Sequence, residues 1–367
     1  MFKICETINS ISQPTPADFH FLNFTGRKLF HKAGILGQGE VIAVMDTGVN
    51  NHKELEGRIL PGLFYCNSDF CSKDPNIDDN GHGTHVAGSI GGINCGVAPV
   101  VEILPVKVFD AFGSGQTQDI INACNALLNW RHPVTGQKVT AVNMSFGCSE
   151  ESLIAEGLFE QYHVAIKALV ESGIAVFAAA GNSGENELMY PGAFDEVIEV
   201  GACDIEKKIA YFSTRNNEVD VCQIGVDVLS CDFNTCDGYA VMSGTSMATP
   251  ITTGIGALLA SRHRKKFKQA MPEKQLYETI KENTIDIGID GIDPDSGAGF
   301  CCLNPYPVNI TMKLGSTTMI VNGNPVTLPV APQTLGGSTV IPVRAPFENA
   351  AAECEWNQTT KEIYLFI

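Results

Sequence analysis

From about residue 28 to residue 304, short, nearly continuous apolar runs alternate with stretches that read as helices. Residues 40–45, 103–109, 139–144 and 174–180 are runs of the first kind. Apolar strands of that length, without a polar face, predict a parallel sheet covered by helices on both sides. The helices are expected at 117–130, 161–172, 246–259 and 273–283, which makes the fold class α/β with a mostly parallel sheet. In such sheets functional side chains collect at the carboxyl ends of strands, and Asp46 stands at one. Beyond residue 304 the pattern changes to short β runs at 318–321, 325–328, 340–344 and 363–366. An Asn322-Gly323 turn joins the first two, and a short helix is expected at 345–351. The chain therefore divides into a short N-terminal extension (1–27), a large α/β domain (28–304) and a small C-terminal α+β domain (305–367).

Composition removes several classes of function. The 44% hydrophobic and 18% charged residues are the balance of a folded protein. With 24 Lys and Arg against 41 Asp and Glu, the net charge of −17 repels phosphate backbones and anionic lipid, so no nucleic-acid partner is expected. The one basic cluster, residues 262–268, falls where a helix should end and cations suit its dipole. No stretch approaches the roughly 18 apolar residues of a membrane span. The first ten residues hold one lysine and no apolar core, so no secretory signal is expected. Thirteen scattered cysteines then fit free thiols in a reducing cytoplasm, with export by a signal-independent route left open. Cys66/Cys71 and Cys231/Cys236 are the pairs that would close small loops on oxidation. Neither has zinc-site spacing, and metal ligands stay unassigned.

Three segments carry chemistry: Asp46-Thr47-Gly48, His82-Gly83-Thr84-His85 within a glycine-rich block, and Ser243-Gly244-Thr245-Ser246-Met247-Ala248 at the start of an apolar helix. A serine hydroxyl becomes a useful nucleophile only when an imidazole accepts its proton. That imidazole needs a buried carboxylate to fix its tautomer. Asp46, His82 and Ser246 supply one residue for each role. Reading His82 and His85 as metal ligands fails for want of a third ligand at helical spacing.

In this order and these surroundings the segments resemble the subtilisin family of serine proteases (subtilases) over residues 28–304. The resemblance implies a three-layer sandwich and a serine endopeptidase of broad specificity acting on polypeptides, with no cofactor needed for the chemistry. Ala180-Gly181-Asn182-Ser183-Gly184 resembles the oxyanion block, which gives Asn182 the side-chain donor. Gly113, Ser114 and Gly115, with Ser145, Phe146 and Gly147, resemble the two segments that sandwich an extended substrate, and Met189 falls at the base of a specificity pocket that is expected to be apolar, with Glu187 the neighbour that would instead favour Lys or Arg. The short leader and the Tyr190-Pro191-Gly192-Ala193-Phe194 block resemble the intracellular branch, where such an extension, here with Pro14 and Pro16, lies across the active site as a brake. Cys148, beside the pocket, points to thiol sensitivity.

The calcium sites depart from the family pattern. Glu54 stands where relatives place a calcium-ligating Asp, but residues 89–95 are too short a loop to supply the usual six to eight oxygens. The weaker family site, built from carbonyls around Gly192, Phe194 and Val197, is left as the candidate for structural calcium. Val321-Asn322-Gly323-Asn324-Pro325 and Val340-Ile341-Pro342-Val343-Arg344 resemble the small domain named after the N-terminal part of copper amine oxidases. This stretch contains no histidine, so the name implies no copper, and its partner is unassigned. The competing reading is an idle subtilase scaffold that binds through this C-terminal module.

Overall fold

Alternation along one strand explains the layering. In Val41–Asp46, Ile42 and Val44 are buried in one apolar cluster with Val86 and Ile90 of the helix His82–Gly91 and Ile251 and Ile255 of Thr245–Phe267. Val41, Ala43 and Met45 are buried in a second cluster with Ile120 and Leu127 of Thr117–Asn129 and Ile166 and Leu169 of Phe159–Glu171. Side chains alternate between faces along a strand, and both faces are covered, so an unbroken apolar run is what the position requires. The computed structural model describes residues 2–3, 9–11, 14–303, 310–312, 315–321, 324–331, 333–335, 338–340, 353–357 and 362–366.

The sheet has nine strands in the order Thr284–Ile285, Phe300–Cys301, Val221–Ile224, Ile198–Cys203, Ala175–Ala179, Ala141–Met144, Val41–Asp46, Glu102–Lys107 and Leu63–Phe64. All neighbours are parallel except the first pair. With helices on both faces this is the expected three-layer α/β sandwich. The helix at 273–283 appears as Glu273–Glu282, and the basic cluster does close a helix, which ends at Phe267 with Lys268 in the left-handed conformation.

Two features were not anticipated. The glycine-rich block around His82 is a fully buried helix, His82–Gly91. Its glycines permit close approach: a Cβ on Gly83 would lie 2.1 Å from Gly48 O. The N-terminal extension also contributes strands. Phe2–Lys3 pairs antiparallel with Ser114–Gly115, and Asn9–Ile11 adds a third strand to the hairpin of Val228–Cys231 and Tyr239–Met242.

The chain forms two compact units, Met1–Asn304 and Pro305–Ile367. In the second, Ile310–Met312, Thr318–Val321 and Asn324–Thr327 form an antiparallel sheet. Gln333–Leu335 with Ser338–Val340, and Glu353–Asn357 with Glu362–Phe366, form two antiparallel pairs. The Asn322-Gly323 turn, residues 341–344 and the helix expected at 345–351 lie outside the described residues. No helix among the described residues is long and apolar enough to cross a membrane.

The cysteine spacing misleads in one case. Cys231 Sγ lies 3.8 Å from Cys95 Sγ, while Cys236 is exposed. Cys66 does adjoin Cys71, and both are free thiols.

Candidate active site

Asp46 ends its strand with the parity of Ile42 and Val44, the face on which the helices of His82 and Ser246 pack. Its carboxylate receives Thr47 N on Oδ1 at 2.7 Å and faces His82 Nδ1 at 2.8 Å (Oδ1) and 2.9 Å (Oδ2). Both side chains are fully buried. A carboxylate on Nδ1 holds the proton there and presents Nε2 as the acceptor.

The two strand ends and the helix start are tied together by groups that sequence reading missed. Asp78 accepts Gly81 N (2.8 Å), Thr84 N (2.9 Å) and Thr84 Oγ1 (2.6 Å), so an anion caps the helix that begins at His82. Thr47 Oγ1 donates to Asp78 Oδ1 at 2.8 Å and accepts Gly83 N at 3.0 Å. Buried Lys107, level with Asp46 on the next strand, donates to Thr47 O at 2.6 Å, Ile77 O at 2.7 Å and Asp79 Oδ2 at 2.8 Å. His85 points elsewhere, with Nε2 3.1 Å from both Val228 O and Ala240 O. Desolvation lowers its pKa to about 3, so it is a neutral core residue.

Ser246, 5% exposed, is the second residue of the helix Thr245–Phe267. Its Oγ donates to Ser145 O at 3.0 Å, and Ser145 Oγ donates back to Ser246 O at 2.9 Å. That carbonyl is open to Ser145 because Pro250, four residues on, has no N–H to give it. Asn143 completes the brace: its Nδ2 donates to Ser145 Oγ at 2.9 Å, and its Oδ1 accepts Thr253 Oγ1 at 2.9 Å. Thr245 fixes Asn182. Its N and Oγ1 both donate to Asn182 Oδ1, at 2.8 and 3.0 Å, which turns the amide nitrogen of Asn182 the other way.

Ser114–Gly115 is the strand already occupied by Phe2–Lys3, and Gly113 N closes the preceding turn onto Asp110 O at 2.9 Å. Ser145, Phe146 and Gly147 follow the strand Ala141–Met144. Met189 packs between this segment and the Asn182 turn. Its Cβ lies 3.3 Å from the position a Cβ on Gly147 would take, and its Cγ 2.9 Å from that on Gly181, whose φ of +107° itself favours glycine. Burial pushes the neighbouring Cys148 thiol up to about 12. It stays protonated at neutral pH, against the expected thiol sensitivity.

Among the described residues no cluster of three or more His, Cys, Asp or Glu is arranged to hold a metal. Where the weaker calcium site was expected, a cavity of about 170 Å³ is lined by Phe194, Val197, Glu218, Asp220 and Lys281. Lys281 Nζ donates to Asp220 Oδ1 at 2.7 Å, so an ammonium already balances that carboxylate.

Residues 37–299 match the family profile described as "Subtilase family", and residues 306–365 the one described as "Copper amine oxidase N-terminal domain". The chain is similar to the "Intracellular serine protease" of Paenibacillus polymyxa, 39% identical over 69% of this chain and 76% of that protein. It is 35% identical to the "Major intracellular serine protease" of Bacillus subtilis over 70% of this chain and 79% of that protein. It is also 35% identical to the "Thermostable alkaline protease" of Halalkalibacterium halodurans, over 76% and 70% of the two chains.

Proposed function

As a member of the subtilase family this chain is a serine endopeptidase, and we propose that it cleaves peptide bonds through an acyl-enzyme on Ser246. His82 Nε2 takes the Ser246 proton as the oxygen attacks the scissile carbonyl, then returns it to the leaving amine. Asp46 holds the Nδ1 proton throughout and stabilises the transient imidazolium. The oxyanion is received by Asn182 Nδ2 and the Ser246 N–H at the helix start. The observation that carries this reading is the fully buried Asp46–His82 contact at 2.8 Å. A binding scaffold has no use for it. The test is labelling with a fluorophosphonate probe: one equivalent on Ser246 is expected, and an unlabelled, folded protein would reject the reading.

Extended polypeptide is held by strand addition to Ser114–Gly115 and to the 145–147 segment, which grips backbone and leaves sequence demands loose. Met189 gives the specificity pocket a flexible thioether lining suited to apolar side chains. The location we propose is cytoplasmic, in keeping with the names of two relatives, and the acidic charge of −17 argues against nucleic-acid partners.

We read the extension as a tethered brake, supported by Phe2–Lys3 lying along the substrate-pairing strand. A tethered strand competes at an effective concentration in the millimolar range. Deleting residues 1–13 is expected to raise kcat/KM on a short chromogenic peptide by about tenfold or more. Equal turnover with and without them would remove the brake from the account.

A further inference from the structure

The short loop after the helix His82–Gly91 turns its carbonyl oxygens toward basic side chains. Arg27, on the helix Arg27–Lys32, donates from Nη1 and Nη2 to Asn94 O at 3.2 and 3.1 Å, and from Nη1 to Gly96 O. Arg58 Nη1 donates to Gly91 O at 2.5 Å and Val101 O at 3.3 Å, and its Nη2 to Glu54 O. His31 Nε2 lies 2.9 Å from Val97 O.

Glu54, 3% exposed, lies against the same loop. Its carboxylate accepts Asn94 N at 2.6 Å, Asn94 Nδ2 at 2.7 Å, Cys95 N at 3.3 Å and Tyr239 OH at 2.5 Å. Burial pushes this carboxyl up, but the bonds from Tyr239, Asn94 and Cys95 outweigh it and hold the group below its ordinary value. With the Cys95 thiol at 3.6 Å as a weak fifth, these donors fill the roughly four lone-pair sites of a carboxylate. A calcium ion needs six to eight oxygens, and the Glu54 carboxylate and the Asn94 and Gly96 carbonyls are already engaged by N–H and O–H groups. The residues do not fit the metal that the family resemblance implies at Glu54.

We propose that Arg27 is the resident cation of this loop, holding the Asn94 and Gly96 carbonyls in calcium's stead, so that the peptidase unit needs no divalent ion there. A guanidinium keeps its charge at every physiological pH and presents five donors in a fixed fork. Unlike a metal it cannot be chelated. It also sets a limit on processing: trimming of the N-terminus has to stop before Arg27 for the loop to keep its cation.

The test uses the full chain carrying Ser246→Ala, which suppresses self-cleavage, and reads thermal unfolding and amide exchange of residues 91–97 rather than activity. A chelator is expected to leave both unchanged in the Arg27 protein. Arg27→Ala is expected to lower the Tm by several degrees and speed exchange in the loop by about tenfold or more. Arg27→Lys, a single point charge that cannot bridge the carbonyls as a fork, should fall between. A chelator that lowers the Tm and loosens the loop of the Arg27 protein would overturn the proposal. So would an Arg27→Ala protein indistinguishable from its parent. The chelator arm decides even if the alanine variant fails to fold.

Discussion

Ser246→Ala will lower kcat by on the order of a millionfold, the loss that subtilisin itself suffers when its nucleophile is removed. The alanine protein keeps its fold, because the missing hydroxyl contributes one hydrogen bond, to Ser145 O at 3.0 Å, worth about 1 kcal/mol. The reciprocal bond from Ser145 Oγ to Ser246 O at 2.9 Å uses backbone and survives. Turnover of a peptide substrate and a thermal melt on the same sample check both halves. A variant within tenfold of the parent would mean that another group attacks the carbonyl.

Asp46→Asn should cost about 10⁴-fold in kcat with little change in stability. The direction follows from Thr47. Its N–H donates to Asp46 Oδ1 at 2.7 Å, so an asparagine keeps its oxygen there, 2.8 Å from His82 Nδ1, and puts its amide N–H at the Oδ2 position, 2.9 Å from the same nitrogen, where a protonated Nδ1 would meet a second donor. His82 Nδ1 then has to accept, the ring proton moves to Nε2, and the nitrogen that should receive the Ser246 proton already carries one. Kinetics at pH 7 to 9 with a control melt measure this. A loss below tenfold would show that the carboxylate does not set the tautomer.

Legibility in the sequence follows the range of the interaction. Asp46, His82, Asn182 and Ser246 sit in short local motifs, and each motif could be read without knowing what lies across the fold. Their braces could not be: Thr245 reaches Asn182 across 63 residues, Asn143 meets Thr253 across 110, and Lys107 meets Thr47 across 60. Nothing in a lone Thr or Asn announces a partner at that distance. The six-residue strand Val41–Asp46 was legible because both its faces are apolar, whereas two-residue strands such as Leu63–Phe64 leave no period to detect. His82–Gly91 was hidden by its glycines, which weaken helix propensity and are there for close packing. The doubt about calcium at Glu54 rested on the length of the 89–95 loop. Arg27, which bears on it, lies 67 residues from Asn94.

The third strand that the extension lays on the hairpin has a cost once the extension is gone. Among the described residues Tyr239–Met242 is paired on one side by Val228–Cys231 and on the other by Asn9–Ile11. Its sequence, Tyr239-Ala240-Val241-Met242, contains no charge and no proline to discourage a new neighbour. An enzyme freed of residues 1–13 therefore presents two bare seams. One, at Ser114–Gly115, is the edge to which we propose substrate adds. The other is an adhesive margin where freed molecules can add to one another strand by strand, so activation and loss of colloidal stability are coupled through a single stretch of chain.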